Sequence, residues 1–233
     1  MYQKISQELN KLKNPEKIEV YQRFFKTGKG EYGEGDIFLG LRMAQTREIM
    51  KKYFNEAGFN DVQKLLNSKI HEYRMVGVLV LVEKFKKADD KLRKDIFNFY
   101  LKNTKNINNW DLIDLSAPNV VGRYLLDKNR KILYTLAKSK SLWERRISVL
   151  ATFTFIREKD FKDAIKISEM LLNDSHDLIH KAVGWMLREM GKKDEKELIK
   201  FLDKHTLQMP RTMLRYSIER LQEKKRKYYL NLK

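Results

Sequence analysis

Three segments of this 233-residue chain can be laid over one another: RMVGVLVL (74–81), RRISVLAT (145–152) and KAVGWMLR (181–188). Each opens on a cation, places a small residue three positions later (Gly77, Ser148, Gly184) and then runs apolar. The short runs LLNS, LAKS and LLND precede them at matching distance. The starting positions imply a period of about 36 residues, with one copy missing near residue 110. A repeat of that length cannot bury its apolar faces alone; it must stack on its neighbours, which is the logic of a helical solenoid.

The local pattern agrees. Apolar residues recur at i, i+3, i+4 in 62–66, 91–101, 130–137, 160–172 and 197–205. Breaks fall at 28–36, 55–61, 102–109, 172–177 and 191–195. Of the three prolines, Pro15 and Pro210 sit where helices begin, with Asn14 as N-cap before Pro15. The expected fold is therefore all-α: about a dozen helices in a HEAT-like superhelix, one domain over residues 1–233 with a basic concave face.

The missing copy coincides with WDLIDLSA, which begins at Trp110 and is cut off by Pro118. In the repeat register, Asp114 and Trp185 occupy the place that Val78 and Val149 fill elsewhere. Equivalent positions of a solenoid line up along one surface, so residues distant in sequence are expected to converge on one wall. Trp110 and Asp114, four apart, share a helix face, as do Trp185 and Arg188, three apart. Arg145 and Arg146 follow Trp143 on a third segment. On spacing alone the structural reading leads: these tryptophans serve as core residues, and Asp114 as a cap or ion-pair partner.

Charge narrows the partner. The chain carries 49 basic and 31 acidic residues, a formal +18, which suits an extended anion and favours nucleic acid over membrane. A lysine-rich surface that only keeps the protein soluble is the bland alternative. The absence of cysteine excludes disulfides, thiolate metal sites and a thiol nucleophile. No apolar run resembles a signal peptide or spans a bilayer, so a soluble cytoplasmic protein is expected.

Two indoles, a carboxylate and arginines suit a nucleic acid that carries a cationic base. Indole faces attract cations, a carboxylate stabilises positive charge developing on a sugar, and arginines grip phosphates. The segments NNWDLIDLSAP (108–118), LWERRISVLATFTFI (142–156), KAVGWMLREMGKKD (181–194) and GKGEYGEGDIFLGLRM (28–43) together resemble the signature blocks of AlkD-type DNA alkylation repair proteins. The resemblance runs in order from about residue 10 to 220. It implies a HEAT-like DNA glycosylase that removes N-alkylated purines such as 3-methyladenine and 7-methylguanine. By position, it implies that Asp114 is the catalytic carboxylate and that Trp110 and Trp185 are aromatic walls. Arg188 and Arg146, in preference to the adjacent Arg145, would hold the DNA backbone.

An alkylated purine is already cationic and leaves as a neutral base, so no general acid is needed to protonate it. No lysine stands out as a Schiff-base nucleophile, so the expectation is a monofunctional enzyme without lyase action. It needs no cofactor and works as a monomer on double-stranded DNA. His176 and His180 have metal-compatible i, i+4 spacing but no third ligand nearby, so a solvated helix start is expected and no metal. The segment GKGEYGEGD lacks the phosphate-loop pattern and reads as a flexible connection. RKYYLNLK reads as a docked helix tip. Two competing readings remain: a non-catalytic HEAT-like binder of damaged or branched DNA, and a scaffold for acidic proteins. The indole–carboxylate set argues against both.

Overall fold

A computed structural model describes residues 1–232. Among them the chain is all-α, with one isolated parallel bridge between Ile37 and Ile70. It separates into two compact units, Met1–Ser116 and a second beginning at Ala117.

The first unit holds α1 (Tyr2–Lys11), α2 (Pro15–Phe24), α3 (Met43–Tyr53), α4 (Phe59–Leu66), α5 (His71–Lys87), α6 (Asp90–Lys102) and nearly all of α7 (Trp110–Ala117). A 3-10 turn, Thr104–Asn106, occupies the expected break before α7. Helix α5 is its centre: every residue from His71 to Val82 is buried. A helix apolar nearly all round belongs inside, and α3 and α4 pack against this one.

The second unit holds a π-helical turn (Pro118–Gly122), α8 (Lys131–Ala137), α9 (Leu142–Arg157), α10 (Lys162–Met170), α11 (Asp177–Lys193), α12 (Glu195–His205), α13 (Arg211–Ser217) and α14 (Glu223–Asn231). Its central helix is α9, buried at most positions from Arg146 to Ile156 and packed against α8, α10 and α11.

The repeat is real at the level of elements. Its three clear copies lie on α5, α9 and α11, the long helices of 17, 16 and 17 residues. The small residue in each copy is buried. At Gly184 a Cβ would stand 2.5 Å from the Met213 carbonyl oxygen of α13, so only glycine permits that approach. The degenerate copy is the eight-residue α7, which ends where Pro118 opens the π-helical turn.

Side-chain caps explain several starts. Ser141 accepts the Glu144 N–H at α9, Asp89 the Leu92 N–H at α6, and Asp194 those of Lys196 and Glu197 at α12. Asn14 does occupy the N-cap of α2, although its side chain makes no capping bond; its backbone N–H donates to the Leu39 carbonyl instead. GKGEYGEGD is more ordered than a flexible connection: Glu31 and Glu34 accept the N–H groups of Gly28 and Gly30, and Gly33 donates to the Lys26 carbonyl.

Candidate active site

In the first unit, Trp110 and Asp114 both lie on α7, one turn apart, and both are half-buried. Asp114 is close enough to Tyr100 to act on it. Burial pushes the Tyr100 phenol up, and the Asp114 charge adds to that rise against the opposing effect of the hydrogen bond that the phenol shares with Ser116. Ser116 donates to the Leu112 carbonyl at 2.5 Å, so Tyr100, 2.8 Å away, is the donor of their shared bond. The hydroxyls thereby fix the Tyr100 ring beneath α7.

The Trp110 indole does not stand alone. Phe25 stacks on it with centroids 5.3 Å apart and planes 20° apart, and Phe24 meets it edge-on at 5.7 Å. Phe24 is 61% exposed, an unusual state for so large an apolar ring. Phe25 in turn stacks on Phe38 at 5.0 Å, and Phe38 stacks on His71 at 4.7 Å. A cavity of about 220 Å³ opens beside this series, lined in part by Tyr21, Phe24, Phe25, Phe38, His71 and Asp111. Aromatic faces of this kind stack on bases and attract cationic rings.

Beneath the rings lies a buried ionic cluster. His71 Nε2 is 2.8 Å from Asp111 Oδ2, and its Nδ1 is 3.4 Å from Asp36 Oδ2. Arg74 Nη2 stands 2.7 Å from the same Asp36 oxygen, which also accepts from Asn109 Nδ2 at 3.2 Å. With a carboxylate at each ring nitrogen, both nitrogens are donors and the imidazole is cationic. Burial opposes that charge, but the Asp111 charge and the hydrogen bonds to Asp111 and Asp36 outweigh it and raise the His71 pKa to about 9. For Asp36 burial works upward, and the His71 hydrogen bond and Arg74 charge overcome it to hold the carboxyl below its usual range.

In the second unit, Trp185 and Arg188 meet through one carboxylate. The Trp185 indole N–H donates to Glu189 Oε1 at 3.2 Å, and Arg188 Nε lies 3.7 Å from the same oxygen. Arg188 also pairs with Glu219. Phe153 of α9 faces Trp185 at a centroid distance of 5.9 Å. Arg145 is held by Asp174 at 2.6 Å and by the carbonyls of Ser139 and Lys140. Arg146 is 5% exposed and donates to the Leu178 carbonyl at 2.6 Å.

His176 caps α11 by accepting the Leu178 N–H at 3.1 Å, and His180 bonds the Asp174 carbonyl. Both are half-buried, so the solvated helix start expected for them is corrected to a built corner. Burial, chiefly, lowers the His176 pKa.

Sequence reasoning singled out Trp110, Asp114 and Trp185 and passed over Phe24, Phe25 and His71, which the structure places in the aromatic series beside Trp110. The available signal for His71 was HEYR (71–74), four polar or aromatic residues heading the apolar run MVGVLVLV (75–82).

A family model described as DNA alkylation repair enzyme matches residues 5–221. Among solved structures, one titled "Predicted DNA alkylation repair enzyme from Enterococcus faecalis" is similar over 91% of this chain and 97% of that one. Its TM-score is 0.70 at 14% identity, a likeness of fold. No curated protein matches the chain.

Proposed function

We propose that this chain, which belongs to the DNA alkylation repair enzyme family, is a monofunctional glycosylase acting on cationic N-alkylated purines, such as 3-methyladenine and 7-methylguanine, in double-stranded DNA. The observation that carries this reading is α7, which sets a half-buried carboxylate one turn from an indole backed by Phe24 and Phe25.

In this reading the alkylated base leaves neutral, and the positive charge passes to the sugar as the N-glycosidic bond lengthens. Asp114 stabilises that charge and orients a water for attack at C1′. Trp110 and Trp185 contact the lesion nucleotide through their ring faces, where cation–π attraction is stronger before bond cleavage than after it. Arg145, Arg146 and Arg188 are the backbone-gripping candidates. Each has protein acceptors here, so a phosphate would replace Asp174, the Leu178 carbonyl or Glu219 respectively.

Release of 7-methylguanine from methylated duplex DNA tests this directly. The wild-type chain is expected to release the base, and Asp114→Asn to do so about 10²–10³ times more slowly. Tight binding to the duplex without release at low salt would instead support a non-catalytic damage-binding protein.

A further inference from the structure

The ionic cluster around His71 has no part in the chemistry above, yet it reaches Trp110 by two routes. Along the backbone, Asp111 follows Trp110 and is bound to His71, while Asn109 precedes it and is bound to Asp36. Asn109 Oδ1 also accepts the Trp110 N–H at 2.8 Å, so both neighbours of the indole's residue are anchored to one buried site. Through the rings, His71 contacts Phe25 at 5.0 Å, and Phe25 is the face on which Trp110 stacks.

Helix α7 needs such anchoring. Trp110 is its first residue, and a helix start leaves backbone N–H groups without intrahelical partners, so its position depends on what ties that end down. An apolar anchor would avoid the cost of burying charges, since buried ion networks rarely stabilise more than well-packed hydrophobic groups. What directional hydrogen bonds add is position: a carboxylate held at 2.8 Å by a ring nitrogen cannot slide as a methyl group can.

We propose that His71, fixed by Asp36 and bonded to Asp111, is a positioning residue that sets where the Trp110 indole stands on α7. That the indole then meets a lesion nucleotide rests on the glycosylase reading; the positioning itself does not.

The test uses the full-length protein labelled with 5-fluorotryptophan. Its three tryptophans give three ¹⁹F resonances, assigned by replacing each in turn with phenylalanine. In His71→Leu the Trp110 resonance is expected to shift and broaden while those of Trp143 and Trp185 stay in place. On methylated duplex, kcat is expected to fall about 10- to 100-fold, the cost of a misplaced contact group, with KM nearly unchanged. His71→Gln retains a neutral N–H donor toward Asp111 and is expected to recover part of both signals. If His71→Leu does not fold, Asp111→Asn, which keeps the shape and removes the charge, decides the matter by the same resonance. A Trp110 resonance that stays at its wild-type position in a folded variant overturns the proposal, as does a uniform shift of all three. The spectrum needs no DNA, so the two readings fail separately. An inactive protein whose Trp110 resonance moves keeps the positioning role and loses the glycosylase, and an active one whose resonance is unmoved does the reverse.

Discussion

At the scale of single residues, the unexpected group is His71. Its partner Asp111 lies 40 positions away and Asp36 lies 35 positions in the other direction, so no local pattern joins them. Trp110 and Asp114 were legible because they interrupt a repeat; His71 interrupts nothing, since it stands at the head of a copy that begins regularly at Arg74. The cluster makes stability depend on pH with a definite sign. His71 is held protonated up to about pH 9 in the folded chain, against an ordinary value of 6.5. The stability it contributes is therefore complete below 6.5 and is lost as pH rises through 9. Asp36, whose pKa is depressed, contributes stability above the carboxylate range that is lost on acidification. The charged groups facing His71 are Asp111, Asp36 and Arg74. Thermal unfolding followed by circular dichroism should show the midpoint falling between about pH 7 and 9.5, and His71→Gln should flatten that slope. An equal slope in both proteins would place the alkaline loss elsewhere.

At the scale of elements, the repeat identified which helices are long and central but not how closely each approaches its partner. Gly77 and Gly184 hold the same place in their copies, yet their surroundings differ. A Cβ on Gly184 would meet backbone, the Met213 oxygen at 2.5 Å, and the Tyr216 Cβ at 2.6 Å. A Cβ on Gly77 would meet the flexible end of Leu66 at 3.1 Å. Alanine in a helix interior gains about 1 kcal/mol over glycine, so the neighbours decide the sign. Gly184→Ala is expected to destabilise the protein by about 1–3 kcal/mol, an overpacking cost. Gly77→Ala should fall within about 1 kcal/mol of wild type, because Leu66 can turn aside while helix propensity improves. Urea denaturation of both variants measures the difference, and equal losses would contradict it. The same register explains a feature of the candidate site. Val78 and Val149 are buried, whereas Asp114 and Trp185 at the corresponding places are half-buried, so the chain has spent a core position of α7 and of α11 on a group that reaches solvent.

At the scale of the whole molecule, charge and fold class were the most legible properties. Helix-forming spacing is written locally, and +18 is a sum that needs no structure. The division into two compact units at residues 116 and 117 was not visible, because it falls inside an apolar segment without a linker's composition. For a DNA-repair protein with this charge, association should be strongly salt-dependent. The log–log slope of affinity against salt is expected to be steeper than about −3, at roughly −0.9 for each phosphate neutralised. Fluorescence anisotropy with a labelled duplex between low and physiological salt would measure it, and a flat line would sink the nucleic-acid reading. One further contact bears on how such a molecule can change over generations. Glu72 accepts the backbone N–H groups of Leu39, Gly40 and Leu41 at 2.9, 2.9 and 3.2 Å. Gly40 is bound to its residue type by a positive φ and by the Asn14 oxygen against it, while Leu39 and Leu41 on either side are buried. The loop's shape is thus stored outside the loop, in one carboxylate on α5. Its backbone course is therefore inherited through a residue more than thirty positions further along the sequence.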